Sequence, residues 1–148
     1  TYMRQVINEN LRLNPPINLV FKQNEEAFEL NLPSGNQKHT VPPKSTIIID
    51  IFHVQHNPEY WPEPYEFKPE RFAQLPQPCT FLPFSTGPRS CIGANFSLAE
   101  QCIILTRLLR RYKLEFVSGF KPENVKRVAI GAVYRPDDSL RVVLKKLE

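Results

Sequence analysis

One cysteine in this chain sits in an unusual setting. Cys91 lies in the run Phe84-Ser85-Thr86-Gly87-Pro88-Arg89-Ser90-Cys91-Ile92-Gly93, with an arginine two residues upstream and an amphipathic helix directly downstream. A bound metal or a helix N-terminus favours the thiolate form of such a side chain, which makes it a strong anionic ligand. Gly87 and Gly93 permit backbone conformations and close approaches that a side chain would block. Arg89 adds a permanent cation whose planar fork of donors suits a carboxylate on a bound ligand. A single axial sulfur beside a carboxylate-binding arginine is the donor set that a haem with propionate arms requires. By composition alone, a lone cysteine before a helix is more often a small buried hydrophobe. The surrounding pattern reverses that reading.

The run resembles the cysteine-ligand loop of the cytochrome P-450 haem-thiolate monooxygenases, Phe-x-x-Gly-x-Arg-x-Cys-x-Gly. Phe84, Gly87, Arg89, Cys91 and Gly93 fill every fixed place. Many members carry a further glycine where Ser85 stands, a mild departure because serine also suits a tight turn. The resemblance implies that Cys91 is the axial ligand of the iron of iron protoporphyrin IX. It also implies that Arg89 neutralises a propionate and that Phe84 shields the sulfur side of the ring. Lys22, shortly after Pro15-Pro16, stands where a basic residue of the family meets a propionate, here as a point charge without bidentate geometry.

Other stretches extend the likeness almost to Glu115. Glu9 and Arg12 lie three apart on a helical segment and share a face, which alone indicates a surface pair of little worth. In the family, a Glu-x-x-Arg helix and an arginine of a later loop form a buried structural network. Glu9, Arg12 and Arg71 of Pro69-Glu70-Arg71-Phe72 occupy those places. Leu13-x-Pro15-Pro16 and His56-Asn57-Pro58-x-x-Trp61-x-x-Pro64-x-x-Phe67 follow the same pattern. The implied role of the network is architectural: it pins the connector and so holds the cysteine loop still.

The resemblance implies a mixed α/β class, mainly α in the parent, with residues 1–148 as the C-terminal haem-binding part of one larger domain. The implied activity is insertion of one oxygen atom of O2 into a lipophilic substrate, with electrons from NADPH through a reductase. An axial thiolate favours the O–O cleavage this needs. No catalytic residue beyond the haem ligand is expected here, because no acid–threonine pair of the family's distal helix occurs in the sequence, and the segment alone is expected to be inactive. Two other readings stay open: a haem-thiolate isomerase or dehydratase acting on peroxides, and a non-catalytic truncated interaction module. Arg107, Arg110, Arg111 and Lys113 read first as a solvated helix end. On the functional reading they form a docking surface for an acidic electron donor. The sequence style resembles eukaryotic microsomal members, an analogy that implies the cytosolic face of the endoplasmic reticulum and an upstream anchor.

Composition sets the outer limits. The chain has 148 residues, of which 41% are hydrophobic and 23% charged, values of a globular protein able to bury a core. A net charge of +4 is mild and does not by itself indicate nucleic acid. There is no apolar run of about 18 residues and no signal-peptide pattern. Cysteines at 79, 91 and 102 are too few and too irregular for a disulfide framework, so a reduced environment is expected. His39, His53 and His56 do not form close ligand pairs with Cys79 or Cys102, which argues against zinc and leaves both cysteines as packing residues.

The elements that must position the loop follow from periodicity. Thr1–Leu13 reads as a helix stopped by Asn14-Pro15-Pro16. It begins without an initiator methionine or a capping segment, as expected of a piece cut from a longer protein. Ile17–Leu32 reads as extended, Ser34-Gly35-Asn36 as a turn, and Thr46–Val54 as a buried strand. Prolines at 58, 62, 64, 69, 76, 78, 83 and 88 forbid long helices and central strands there. Tyr60, Trp61, Tyr65, Phe67, Phe72, Phe81 and Phe84 predict a packed connector with its own core. Ala94–Tyr112 reads as a helix apolar over a wide arc and hence mostly buried. Leu114–Val117, Val128–Val133 and Leu140–Leu147 read as a small sheet, with a hairpin turn at Pro136-Asp137-Asp138-Ser139.

Overall fold

The first helix, α1 (Tyr2–Leu13), stops where the prolines require: Asn14 leaves helical geometry at φ −129° and ψ 61°. The computed structural model describes residues 1–32, 38–121, 125–130 and 133–147. Met3, Ile7 and Leu11, each four residues apart, place one apolar stripe of α1 toward a second long helix, α3 (Ala94–Leu109). Ile7 and Leu11 join Leu98 in the central cluster, and Phe81, Phe84, Cys102 and Leu105 pack around it. Burial of each aliphatic side chain there contributes roughly 1.5–3 kcal/mol. The other side of α1 carries buried Glu9 and Arg12 toward the connector.

Four antiparallel two-stranded pairs accompany the helices among the described residues. They are β1 (Leu19–Gln23) with β4 (Thr46–Asp50), β2 (Phe28–Asn31) with β3 (Lys38–Val41), β5 (Tyr112–Phe116) with β8 (Val142–Lys146), and β6 (Arg127–Ile130) with β7 (Val133–Pro136). Of these strands, β1 contacts the segment Ile51–Gln55 and β5 contacts α3. The expected turn at Ser34-Gly35-Asn36 lies outside the described residues.

Several expectations are corrected. The strand read over Thr46–Val54 ends at Asp50, and Ile51–Gln55 forms a short helix, α2. The Asp50 carboxylate accepts the His53 backbone N–H at 3.0 Å, a helix cap that overrides the β preference of the isoleucines. The last helix stops at Leu109 because Tyr112 pairs with Lys146. On α3 only Leu98 is buried, while Phe96 is 73% exposed and Ile103 and Ile104 are each 55% exposed. Among the described helices α1 alone packs along α3, so the wide apolar arc is covered on one side. Pro136–Ser139 does turn, with Leu140 N–H donating to Asp137 O at 3.3 Å. It is no hairpin, because β7 and β8 belong to different ladders. Val128–Val133 divides between β6 and β7, with 131–132 outside the described residues.

The connector from 57 to 88 consists of turns and two short 3-10 segments, Pro69–Ala73 and Gly87–Arg89. Its expected seven-aromatic core shrinks to Trp61, Phe72 and Phe81, with ring centroids 4.8–6.4 Å apart. Trp61 Nε1 donates to Thr80 O at 3.2 Å, satisfying the indole. Phe84 instead joins the helical cluster, and Tyr60, Tyr65 and Phe67 are exposed. A path bent by this many prolines over α1 has one inward side, and three rings fill it.

Candidate functional site

Helical spacing alone places Glu9 and Arg12 on one face; tertiary packing makes them a junction. Both are fully buried. Arg12 Nε donates to Glu9 Oε2 at 2.8 Å, and Nη2 donates to Glu9 Oε1 at 2.9 Å, a bidentate fork. Nη1 donates to the carbonyls of Gln55 (2.9 Å) and Pro64 (2.7 Å), and Nη2 also reaches Glu66 O at 3.2 Å. All five guanidinium donors are thus used. The cation also lies 5.3 Å from the centroid of the Trp61 ring. Glu9 Oε1 accepts the Lys68 backbone N–H at 2.9 Å. Arg71 Nε stands 3.3 Å from the same oxygen, close enough for charge attraction but without hydrogen-bond alignment. Arg71 Nη2 donates to Glu63 O at 2.8 Å. The three charged residues therefore meet at one point and tie α1 to the connector.

Sequence reasoning missed Gln55. It is fully buried at the end of α2, and its Nε2 donates to the carbonyls of Leu11 and Arg12, both at 3.1 Å. Its Oε1 accepts the Leu82 backbone N–H at 2.8 Å. The available signal was a lone amide at the end of the largely apolar run Ile47–Val54. Buried amides must find partners. Beside it, His56 is buried and stacked on Phe52 at 4.0 Å, with Nδ1 donating to Phe52 O at 2.8 Å. Its Nε2 is buried without a partner among the described residues. Burial pulls the His56 pKa below its ordinary value, with the Arg12 and Arg127 cations acting in the same sense.

The cysteine loop is anchored at its start and open at its end. Phe84 packs on the Ile7–Leu11–Leu98 cluster, and its carbonyl accepts the Cys91 N–H at 2.9 Å. Ser85 (φ 60°) and Gly87 (φ 79°) both take left-handed backbone, which glycine adopts at 87 without the penalty a side chain would carry. Gly93 differs: at φ −87° any residue fits its backbone, and a Cβ there would lie 3.9 Å from Cys91 Sγ, in ordinary contact. It is the N-cap of α3, whose positive dipole end therefore begins beside the sulfur. Cys91 and Arg89 are exposed, and Arg89 forms no hydrogen bond or ion pair with other described residues. Ile92 is fully exposed next to the sulfur.

Lys22 lies half-buried on β1 opposite Ile47, and no described hydrogen bond or ion pair brings it to this loop. Cys102 packs beside the helical cluster, whereas Cys79 is exposed at φ 64°, against the packing role expected of it. A tight turn fixes Cys79 there, with Thr80 N–H donating to Gln77 O. His39 stands on β3, whereas His53 lies on α2 and His56 caps its end, and among the described residues no three His, Cys, Asp or Glu side chains converge as a metal cage. His53 instead pairs with Asp50 at 2.6 Å. Among the described residues no helix is long and apolar enough to cross a membrane.

Comparison with known proteins places the chain in a family. The family model described as Cytochrome P-450 matches residues 1–140. Cytochrome P-450 9e2 of Blattella germanica is 39% identical over 121 residues, covering 79% of this chain and 22% of that protein. Lithocholate 6-beta-hydroxylase of Mesocricetus auratus is 32% identical over 146 residues, covering 94% of this chain and 27% of its own length. The solved structure of retinoic acid-bound cyanobacterial CYP120A1 superposes with a TM-score of 0.81 at 29% identity, over 99% of this chain and 32% of that one. The chain thus spans about a fifth to a third of these relatives' lengths. With 140 of its residues matched by one family model, the chain belongs to the cytochrome P-450 family.

Proposed function

We propose that residues 1–148 are the proximal, ligand-bearing part of a larger haem domain, in which Cys91 is the axial ligand of a monooxygenase. The observation that carries this reading is the Cys91 loop. Its sulfur is solvent-exposed and stands at the start of α3, while the Phe84 end of the loop is fastened to the core. Haem is the family's cofactor, and the donor set suits it: one soft sulfur, one guanidinium without a partner among the described residues, and an apolar rim of Ile92 and Phe96.

Bound there, a thiolate-ligated haem supplies reductive activation of O2 and transfer of one oxygen atom to carbon. The chain's own residues do the rest. Cys91 would present Sγ to the iron at the start of α3, where the helix dipole favours an anionic ligand. Arg89 takes a propionate carboxylate in its planar fork. Phe84, packed on the helical cluster, would shield the sulfur side of a bound ring. Gly87 supplies the left-handed turn, and Gly93 keeps the surface over the sulfur low. Glu9, Arg12 and Arg71 hold the frame from which the loop hangs.

Exposed Arg107, Arg110 and Arg111, with Lys113, offer an acidic electron donor a positive face; NADPH is the electron source through that reductase. The hydroxylase among the relatives supports oxygen insertion into a lipophilic substrate by the whole protein. Residence on the endoplasmic reticulum membrane accords with this reading.

The test is Cys91→Ala in the full-length protein. Loss of the thiolate-type absorption of the reduced, CO-treated protein is expected, with folding retained. An unchanged spectrum would refute Cys91 as the ligand.

A further inference from the structure

The cysteine loop contains only half of its own support. Phe84 fixes one side through apolar packing, but the strand of chain that delivers Phe84, Leu82-Pro83, has no backbone partner across the fold among the described residues except through one side chain. That side chain is Gln55. From the reading of Cys91 as haem ligand, we infer that Gln55 is a positioning residue that sets the height and orientation of the Cys91 loop relative to α1.

The geometry is reciprocal. Gln55 gives its backbone carbonyl to the Arg12 guanidinium (2.9 Å) and receives the Arg12 and Leu11 carbonyls on its amide N–H groups (3.1 Å each). It is therefore held by both the side chain and the main chain of α1. Its remaining polar atom, Oε1, is committed to Leu82 N–H at 2.8 Å. From Leu82 the connection continues locally. The Leu82 carbonyl accepts Ser85 N–H at 3.0 Å, closing the turn that contains Phe84, and the Phe84 carbonyl accepts Cys91 N–H at 2.9 Å. One buried amide thus joins the Glu9–Arg12 junction to the turn from which Cys91 is suspended.

Residue type matters at this site. An amide offers two donors and an acceptor at once, without charge. A carboxylate keeps the acceptor for Leu82 but faces two carbonyls with lone pairs. An aliphatic side chain of similar volume keeps the packing and loses all three bonds, leaving two carbonyls and one N–H unpaired in a dry interior. Ligand placement should therefore respond differently to the two changes.

The experiment compares full-length holoprotein, Gln55→Glu and Gln55→Leu, reading the thiolate-type and thiol-type bands of the reduced CO form per folded molecule, beside denaturant stability. Gln55→Leu is expected to convert at least half of the folded, haem-loaded protein to the thiol-type spectrum. Gln55→Glu is expected to lose stability while retaining most of the thiolate-type band, because Leu82 keeps its acceptor. Equal thiolate fractions in all three proteins would overturn the inference and leave the Cys91 reading intact. Absence of that band from the unmodified protein would instead overturn Cys91 as ligand.

Hydrogen exchange in the unmodified protein decides the matter where neither variant folds. The Leu82 amide is expected to exchange at least tenfold more slowly than an unprotected loop amide. Exchange at the open-loop rate overturns the assignment.

Discussion

The α1–connector junction and the Cys91–α3 face are built on opposite principles within one small structure. At the junction, every donor of Arg12 is paired, Glu9 and Gln55 are fully buried, and partners come from three stretches of chain: α1, residue 55 and residues 64–68. On the other face, Cys91, Arg89, Ile92 and Phe96 are exposed and carry few protein contacts. The contrast separates framework from chemistry. A buried charge must be saturated with partners or it destabilises the fold, whereas a ligand-binding face needs groups whose partners are not protein.

The strongest way to break this comparison is at Arg12. Arg12→Ala leaves buried Glu9 with only the Arg71 guanidinium near it and leaves the carbonyls of Gln55, Pro64 and Glu66 facing an empty cavity. A loss of about 3–5 kcal/mol is expected from removing one partner of a buried pair. Denaturant unfolding of the full-length protein measures it. Arg12→Lys should recover part of the loss only, since one ammonium cannot satisfy carbonyls in several directions. A fully stable Arg12→Ala protein would show that the junction contributes nothing.

The two regions were also unequally legible from sequence. The Cys91 loop declares itself through residue types at fixed spacing, because ligand chemistry restricts which side chains can stand there. Glu9 and Arg12 were visible as a helical pair, yet their worth depends on carbonyls of residues 55, 64 and 66, which no local pattern specifies. Gln55 was invisible for the same reason. The helix over Ile51–Gln55 was hidden behind isoleucines that favour strand, although Asp50 was a readable cap. The exposure of Phe96, Ile103 and Ile104 shows the limit of periodicity: an apolar arc reports what a helix can bury, and not which neighbours cover it.

A smaller effect is expected from His56, at the rim of the junction. Its ring is stacked on Phe52 and faces Arg12 and Glu9 of α1, Arg127 of β6 and the exposed Tyr65 ring. Burial first, and then the two arginines, hold its folded pKa below the ordinary value of about 6.5. Between the folded and unfolded values the unfolded chain binds more protons, so stability rises with pH. Its contribution is present above about pH 6.5 and is lost as the solution is acidified toward the folded value. Denaturation midpoints at pH 7.5 and 5.5 should differ in that sense, and His56→Gln should remove part of the difference. An equal acid sensitivity in the variant would exclude His56 as a source.

The smallest expected effect lies in the cysteine loop and has the opposite sign. Ser85 holds φ 60°, a left-handed conformation that an L side chain resists by roughly 1–2 kcal/mol. Its hydroxyl makes no hydrogen bond with other described residues that would offset this, and only the backbone bond from Ser85 N–H to Leu82 O secures the turn. Glycine removes the steric penalty but frees the unfolded chain, which returns about 0.4–1 kcal/mol. Ser85→Gly should therefore stabilise the full-length protein by about 0.5–1 kcal/mol by denaturant unfolding, the net of those two terms. The increment tests whether the loop itself, and not only its attachment to the junction, carries strain. A destabilised Ser85→Gly protein would mean that the serine side chain supports the turn, and the division between a saturated frame and a sparsely held face would then be drawn too sharply at residue 85.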